Sequence, residues 1–140
     1  MISNNINTYN FIEEDDFIYG KFQPDDHPQF VKIDNFYCDK NSYMLQEAYD
    51  AFVSMAEAAK ADSIELKIIS ATRNFEYQKE IWEKKWVGET LVDHMKLNKS
   101  HKNPIERARK ILEYTAPPGF TRHHWGTDID INSVEEEYFN

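Results

Sequence analysis

The hydrophobic repeat changes period near residue 62, and that switch restricts the chain to folds in which a helix packs against a strand. Leu45, Ala48, Tyr49, Phe52, Met55, Ala56 and Ala59 recur at i, i+3, i+4 and i+7, the stripe that a helix turns toward a core. From Ile64 onward the repeat is two. Ile64, Leu66 and Ile68 alternate with Glu65 and Lys67, as in a strand with one buried face. The expected centre of the fold is a helix over 42–60, capped by Ser42, followed by a strand that runs to Ser70.

Further helices follow from capping residues. Asn74 or Thr72 opens one carrying Phe75, Gln78, Ile81, Trp82 and Trp86 and ending near Gly88. Residues 89–103 read as a polar connector. Asn103, Pro104 and Glu106 then fit N-cap, N1 and N3 of a helix whose stripe is Ile105, Ala108, Ile111 and Leu112, stopped by Pro117, Pro118 and Gly119. Thr127, Ile129 and Ile131 alternate with Asp128 and Asp130 and predict a second strand at 127–132. Residues 1–41 hold Phe11, Phe17, Tyr19, Phe22, Phe30, Val31, Ile33, Phe36 and Tyr37 without a sustained period, which predicts an irregular arm anchored by aromatics. The class is α+β, with an N-terminal arm over 1–41 and one domain over 42–140.

Charge and composition exclude several functions. The formal net charge of −9 makes a surface that repels phosphate backbones, so nucleic acid is not an expected partner. No apolar stretch approaches the ~20 residues of a membrane span, and Met1–Asn10 has neither the basic nor the apolar region of a secretory signal. A single cysteine, Cys38, cannot form an internal disulfide; Phe36, Tyr37 and Asp39 around it provide no base, so it is expected to be a structural thiol. Nothing in the sequence fixes an oligomeric state.

Polar chemistry concentrates in Thr121-Arg122-His123-His124-Trp125-Gly126-Thr127-Asp128-Ile129-Asp130. Imidazole and carboxylate are both good zinc ligands, and Gly126 permits a bend that brings one histidine over the strand bearing Asp128 and Asp130. The competing reading has the histidines closing a loop while the aspartates face water. His27, His94 and His101 fall in polar segments and are expected at the surface. Arg73 ends the first strand at the mouth of a helix, where its guanidinium either binds a carboxylate or oxyanion or pairs with a surface acid.

Thr121-x-His123-x-x-Gly126-x-Asp128-x-Asp130 resembles the Ser-x-His-x-x-Gly-x-Ala-x-Asp signature of the VanY-like D-alanyl-D-alanine carboxypeptidases. Upstream, Ile69-Ser70-Ala71-Thr72-Arg73-Asn74-Phe75-Glu76-Tyr77-Gln78 is similar to that family's Ser-Gly-Tyr-Arg-Ser segment, which is followed by an aromatic residue and a Gln. The two motifs stand in the family's order, each at a strand terminus, and the resemblance spans roughly residues 40–132.

The resemblance implies the hedgehog and D-Ala-D-Ala peptidase fold, a small antiparallel sheet with packed helices. It implies zinc as cofactor, His123 and Asp130 as ligands, and Arg73 as the catalytic residue that polarises the scissile carbonyl. Gln78, Thr121 and Ser70 fall at substrate positions, the substrate being a peptidoglycan stem peptide, and the implied location is the cell envelope or periplasm. Asp128 replaces the family's small residue, with a role either beside the metal or toward substrate. The family's catalytic Glu and its third zinc ligand, a His, lie further downstream than Asn140, so a site incomplete in this chain, with weak metal loading and weak activity, is expected. His124, Asp128 or a neighbouring molecule are candidates to fill the gap. A non-catalytic module that binds the same peptides, and a stem-peptide endopeptidase, are the alternatives.

Overall fold

A computed structural model of the chain describes residues 13–133. The expectations for Met1–Asn10 and Phe11 lie outside these residues. Two short antiparallel ladders hold the framework. The first joins β1 (Phe30–Lys32) to β2 (Tyr43–Leu45), with Phe30 opposite Leu45 and Lys32 opposite Tyr43. The second joins β3 (Leu66–Ser70) to β4 (Asp130–Ser133). The single small sheet of the expectation is thus two ladders, with helices packed on them.

The central helix α2 spans Gln46–Ala61, four residues later than its expected start, and Ser42 does not cap it. The reason is competition from the ladder. The Ser42 carbonyl accepts the Ile33 N–H at 2.9 Å, and the Leu45 N–H is taken by the Gly126 carbonyl at 3.0 Å, so 43–45 stays extended. From α2, Phe52 and Ala56 enter the main core with Ile33, Cys38, Met44, Ile68 and Ala71. Cys38 is a buried free thiol.

The segment before residue 42 is less irregular than its sequence pattern. It holds α1 (Glu14–Ile18), a 3-10 turn at Pro24–Asp26 and β1, and it supplies Ile33 and Cys38 to the core. Phe17, Phe22, His27 and Phe30 form an aromatic cluster, the closest ring pair being His27 and Phe30 at 4.8 Å. A run of aromatics without period gave no helical or strand signal because these rings pack on one another rather than along one face.

Asn74 caps α3 (Phe75–Trp86), its side chain accepting the Tyr77 N–H at 2.9 Å. Asn103 caps α5 (Pro104–Leu112) through the N–H groups of Ile105 and Glu106. The stretch between them is not a polar connector only. Val92 and Leu97 are buried against Ile111, Trp82 and Trp86 in a second cluster. A tight turn bridging Val92 and Met95 and the short α4 (Leu97–Ser100) carry these two residues inward. Asp93 and His94 take the left-handed conformation at the turn's tip, which Asp and His tolerate better than most residues. The Asp93 carboxylate then holds the Lys110 ammonium and the Tyr114 hydroxyl, bracing the turn against α5.

β4 begins at Asp130, not at 127, and its register against β3 shifts between Ile68 and Ser70, which sets Ser70 opposite Asp130. The first strand's end and the first residue of the last strand therefore meet at one point. No helix among the described residues is long and apolar enough to cross a membrane.

Burial among Phe17, Phe22 and Phe30 lowers the His27 pKa below its ordinary value, so the fold favours the neutral ring. A base whose folded pKa is depressed lends stability above its unfolded pKa of about 6.5 and loses it as pH falls through the folded value. Urea unfolding between pH 7.5 and pH 5 (both approximate) should show a stability loss on acidification that shrinks in His27→Phe. An identical pH slope in both proteins would count against this role.

Candidate active site

The site forms where Ser70-Ala71-Thr72-Arg73 meets the turn at 119–126. Thr121 starts a 3-10 turn at Arg122–His124, its hydroxyl oxygen accepting the His123 N–H at 3.2 Å. The tightness of that turn sends two adjacent imidazoles to different places.

His124 goes inward and has no exposed surface. Its Nδ1 lies 2.5 Å from the Arg73 carbonyl and donates to it, while Nε2 accepts the Gly119 N–H at 2.9 Å. Burial is the main cause that lowers its pKa, the Arg73 backbone hydrogen bond opposes it, and the charges of Arg73 and His123 add to the lowering. The ring is a neutral staple with both nitrogens engaged. His124 is therefore not free to supply a metal ligand, which corrects one of the candidates named from sequence.

His123 turns toward the surface of the cleft. Its Nδ1 stands 3.1 Å from the Ala71 carbonyl, an arrangement in which Nδ1 donates and the Nε2 lone pair faces out. Nε2 is 3.6 Å from Asp130 Oδ2 and 3.9 Å from Asp128 Oδ2. Both separations exceed the ~3.2 Å reach of an N–H···O bond. Both fall within the ~4 Å that separates two atoms each bound at about 2 Å to one ion. An imidazole nitrogen and a carboxylate oxygen at this separation are both atoms that zinc accepts, so the donor chemistry of His123 and Asp130 fits the ion as two of its ligands. Asp128 also leans toward Arg122, whose Nε is 3.7 Å away. Among the described residues no group of three His, Cys, Asp or Glu side chains closes around one point as a complete cage.

A cavity of about 460 Å³ opens beside this pair. Arg73, Gln78, Thr121, His123 and Asp130 all line it, and so does Asp128. Ser70 does not; it is half-buried in the ladder opposite Asp130. Arg73 is held by its own backbone, its N–H donating to the His123 carbonyl at 2.9 Å. Burial disfavours the charged guanidinium and the charge of Asp130, followed by Tyr77 and Asp128, restores it; an arginine stays protonated under such pressure. The buried Gln78 donates Nε2 to the Ala116 carbonyl at 2.7 Å, leaving its Oε1 without a partner in the protein.

The cavity also holds Lys85 and Thr115, which sequence reading missed. The signal existed in helix geometry: Gln78, Ile81 and Lys85 are spaced i, i+3 and i+7 and share one face of α3.

The fold thus sets an imidazole–carboxylate pair beside a cleft lined by Arg73 and Lys85. The family model described as VanY, D-alanyl-D-alanine carboxypeptidase, matches residues 41–140, and the chain belongs to that family. Among solved structures, a mutant of the vancomycin resistance D,D-pentapeptidase VanY from the VanB-type resistance cassette, in complex with Zn(II), aligns at TM-score 0.59 and 20% identity, covering 76% of this chain and 53% of that one. VanYB in complex with D-alanine-D-alanine aligns at TM-score 0.59 and 20% identity, covering 75% and 51%. The LdcB LD-carboxypeptidase, from a structure concerned with peptidoglycan recognition, aligns at TM-score 0.56 and 27% identity, covering 81% and 46%. The chain spans about half the length of these solved chains. No curated protein matches it.

Gly20 packs on the His124 ring: a Cβ there would stand 2.3 Å from Nδ1, and the backbone is left-handed at φ +72°. The Gly20 carbonyl also accepts the Phe75 N–H at 2.8 Å, so the residue cannot shift without loosening α3. Gly20→Ala should cost about 2 kcal/mol or more by overpacking and backbone strain. Chemical denaturation reads that loss, and an unchanged midpoint would show that the ring has room to move.

Proposed function

We propose that this chain carries part of the site of a zinc-dependent carboxypeptidase of the D-Ala-D-Ala type, acting on peptidoglycan stem peptides in the cell envelope or periplasm. The observation that carries the reading is the gap between His123 Nε2 and Asp130 Oδ2, too long for a hydrogen bond and sized for a metal ion, in a chain of the VanY family. The solved relatives bound to Zn(II) and to D-alanine-D-alanine support it.

In this reading His123 and Asp130 hold the zinc. When bound, the ion supplies Lewis acidity and lowers the pKa of a nearby water. The Ala71 carbonyl fixes the His123 tautomer by accepting the Nδ1 proton, so Nε2 is presented without rearrangement. Arg73 donates to the scissile carbonyl oxygen and stabilises the negative charge that develops there. Its desolvation strengthens that interaction, because the guanidinium faces less competing water. Gln78 offers an unused acceptor, Oε1, to a substrate N–H. Thr121 keeps its hydroxyl proton for donation, since its oxygen is the acceptor for the His123 N–H.

The test is release of D-alanine from a stem pentapeptide, with zinc added or removed by a chelator. Turnover should require zinc, and Asp130→Ala should lower kcat/KM at least about 100-fold while weakening zinc binding by calorimetry. Peptide binding without turnover at any zinc concentration would favour a non-catalytic module instead. Product masses showing cleavage inside the peptide would assign an endopeptidase.

A further inference from the structure

Lys85 differs from the other lysines of α3. Lys79 and Lys84 project to solvent and pair with glutamates of their own helix. Lys85 is half-buried, lines the cleft, and has no carboxylate within 4.0 Å among the described residues. Its ammonium donates instead to the hydroxyl of Thr115, which is itself buried at 8% exposure. Burial, and then the charge of Arg73, push its pKa below the ordinary lysine value.

This combination is electrostatically unfavourable on its own. Arg73 and Lys85 are two desolvated cations in one cleft, which the exposed Arg122 also lines, in a chain that has 25 acidic residues against 16 basic ones and so no shortage of partners. Arg73 feels Asp130 and Asp128 across the cleft, whereas no acid is among the influences on Lys85. The cleft is consequently polarised. One wall carries His123 and the aspartates, Arg73 stands between, and Lys85 with Thr115 makes a cationic end. The ligand complementary to that end is an anion that presents one face to a Lys ammonium and an adjacent hydroxyl.

We propose that Lys85, positioned by Thr115, anchors the C-terminal carboxylate of the peptide substrate and thereby selects peptides with a free end. The inference rests on the peptidase reading for the identity of the ligand. In a peptide cut before its last residue, the terminal carboxylate stands one residue, about 3.5 Å of chain, beyond the scissile carbonyl. An enzyme that polarises the carbonyl with Arg73 needs its carboxylate donor next to that arginine. Lys85 and Arg73 line the same cavity, and a carboxylate bound between them relieves the repulsion of the two charges. A C-terminal amide, being neutral, leaves it in place.

The experiment compares N-acetyl-D-Ala-D-Ala with its C-terminal amide, by calorimetric binding and by zinc-dependent hydrolysis, in the parent, Lys85→Met and Lys85→Arg. The parent should prefer the acid at least about tenfold, the worth of one charge-assisted hydrogen bond. Lys85→Met should lose that preference, raising KM for the acid about tenfold with a smaller change in kcat and unaltered amide binding, while Lys85→Arg restores most of it. Retention of the acid preference in Lys85→Met, with melting temperature and zinc affinity unchanged, would overturn the anchor and leave the peptidase reading standing. Loss of the preference in binding, in a protein that never hydrolyses either peptide, would support the anchor and overturn the peptidase reading. A parent that binds acid and amide equally overturns the anchor outright.

Discussion

The neutral ring of His124 holds the two halves of the site together. Its two hydrogen bonds tie the Arg73 carbonyl, inside the first motif, to the Gly119 amide, just before the second. Neither group would otherwise have a water-free partner at that depth, and a buried unpaired amide or carbonyl costs roughly 1–3 kcal/mol. The staple works only while the ring stays uncharged, and burial enforces that. Once Arg73 and the 119–124 turn are fixed to each other, the Arg73 N–H meets the His123 carbonyl, and the cleft acquires its shape from backbone rather than from side-chain choice.

That arrangement explains why two neighbouring histidines have opposite duties. A 3-10 turn places consecutive side chains about 120° apart, so one imidazole can be wholly internal while the next reaches the cleft. Thr121 sets the phase of the turn by capping it. The ladder between β3 and β4 sets the distance: the register shift at Ile68 and Ser70 brings Asp130 alongside the end of β3, within reach of His123. Charge is then sorted by these constraints, with carboxylates on the ladder side and cations on α3 and the preceding loop.

Much of this was legible in the residues. The α2 stripe, the alternation in β3, and the Asn74 and Asn103 caps depend on local rules, and each element exists where those rules put it to within a few residues. Ser42 failed as a cap because a ladder with residues 30–32 upstream claimed the backbone first, a contact that no local pattern encodes. Val92 and Leu97 were hidden by polar neighbours, since a single apolar residue carried inward by a left-handed turn has no period. His123 and Asp130 were visible as candidates from residue type and order. The distinction between His123 and His124 was not, because it depends on which ring the 119–124 turn encloses.

Asp128 shows how the charge of the cleft is balanced. Its carboxylate stands 3.9 Å from His123 Nε2 and 3.7 Å from Arg122 Nε, so it lies between the cleft-facing imidazole and a surface cation. Arg122 is 74% exposed, and a pair so solvated holds its partner with little energy. Asp128 is thus restrained in direction without being neutralised, and it adds a second negative charge beside Asp130 on the wall that faces His123. Together the two carboxylates raise the affinity of that wall for a cation and, through the same field, offset part of the desolvation of the Arg73 guanidinium. One acidic wall therefore acts on both ends of the cleft: it faces the His123 nitrogen on one side and the Arg73 guanidinium on the other.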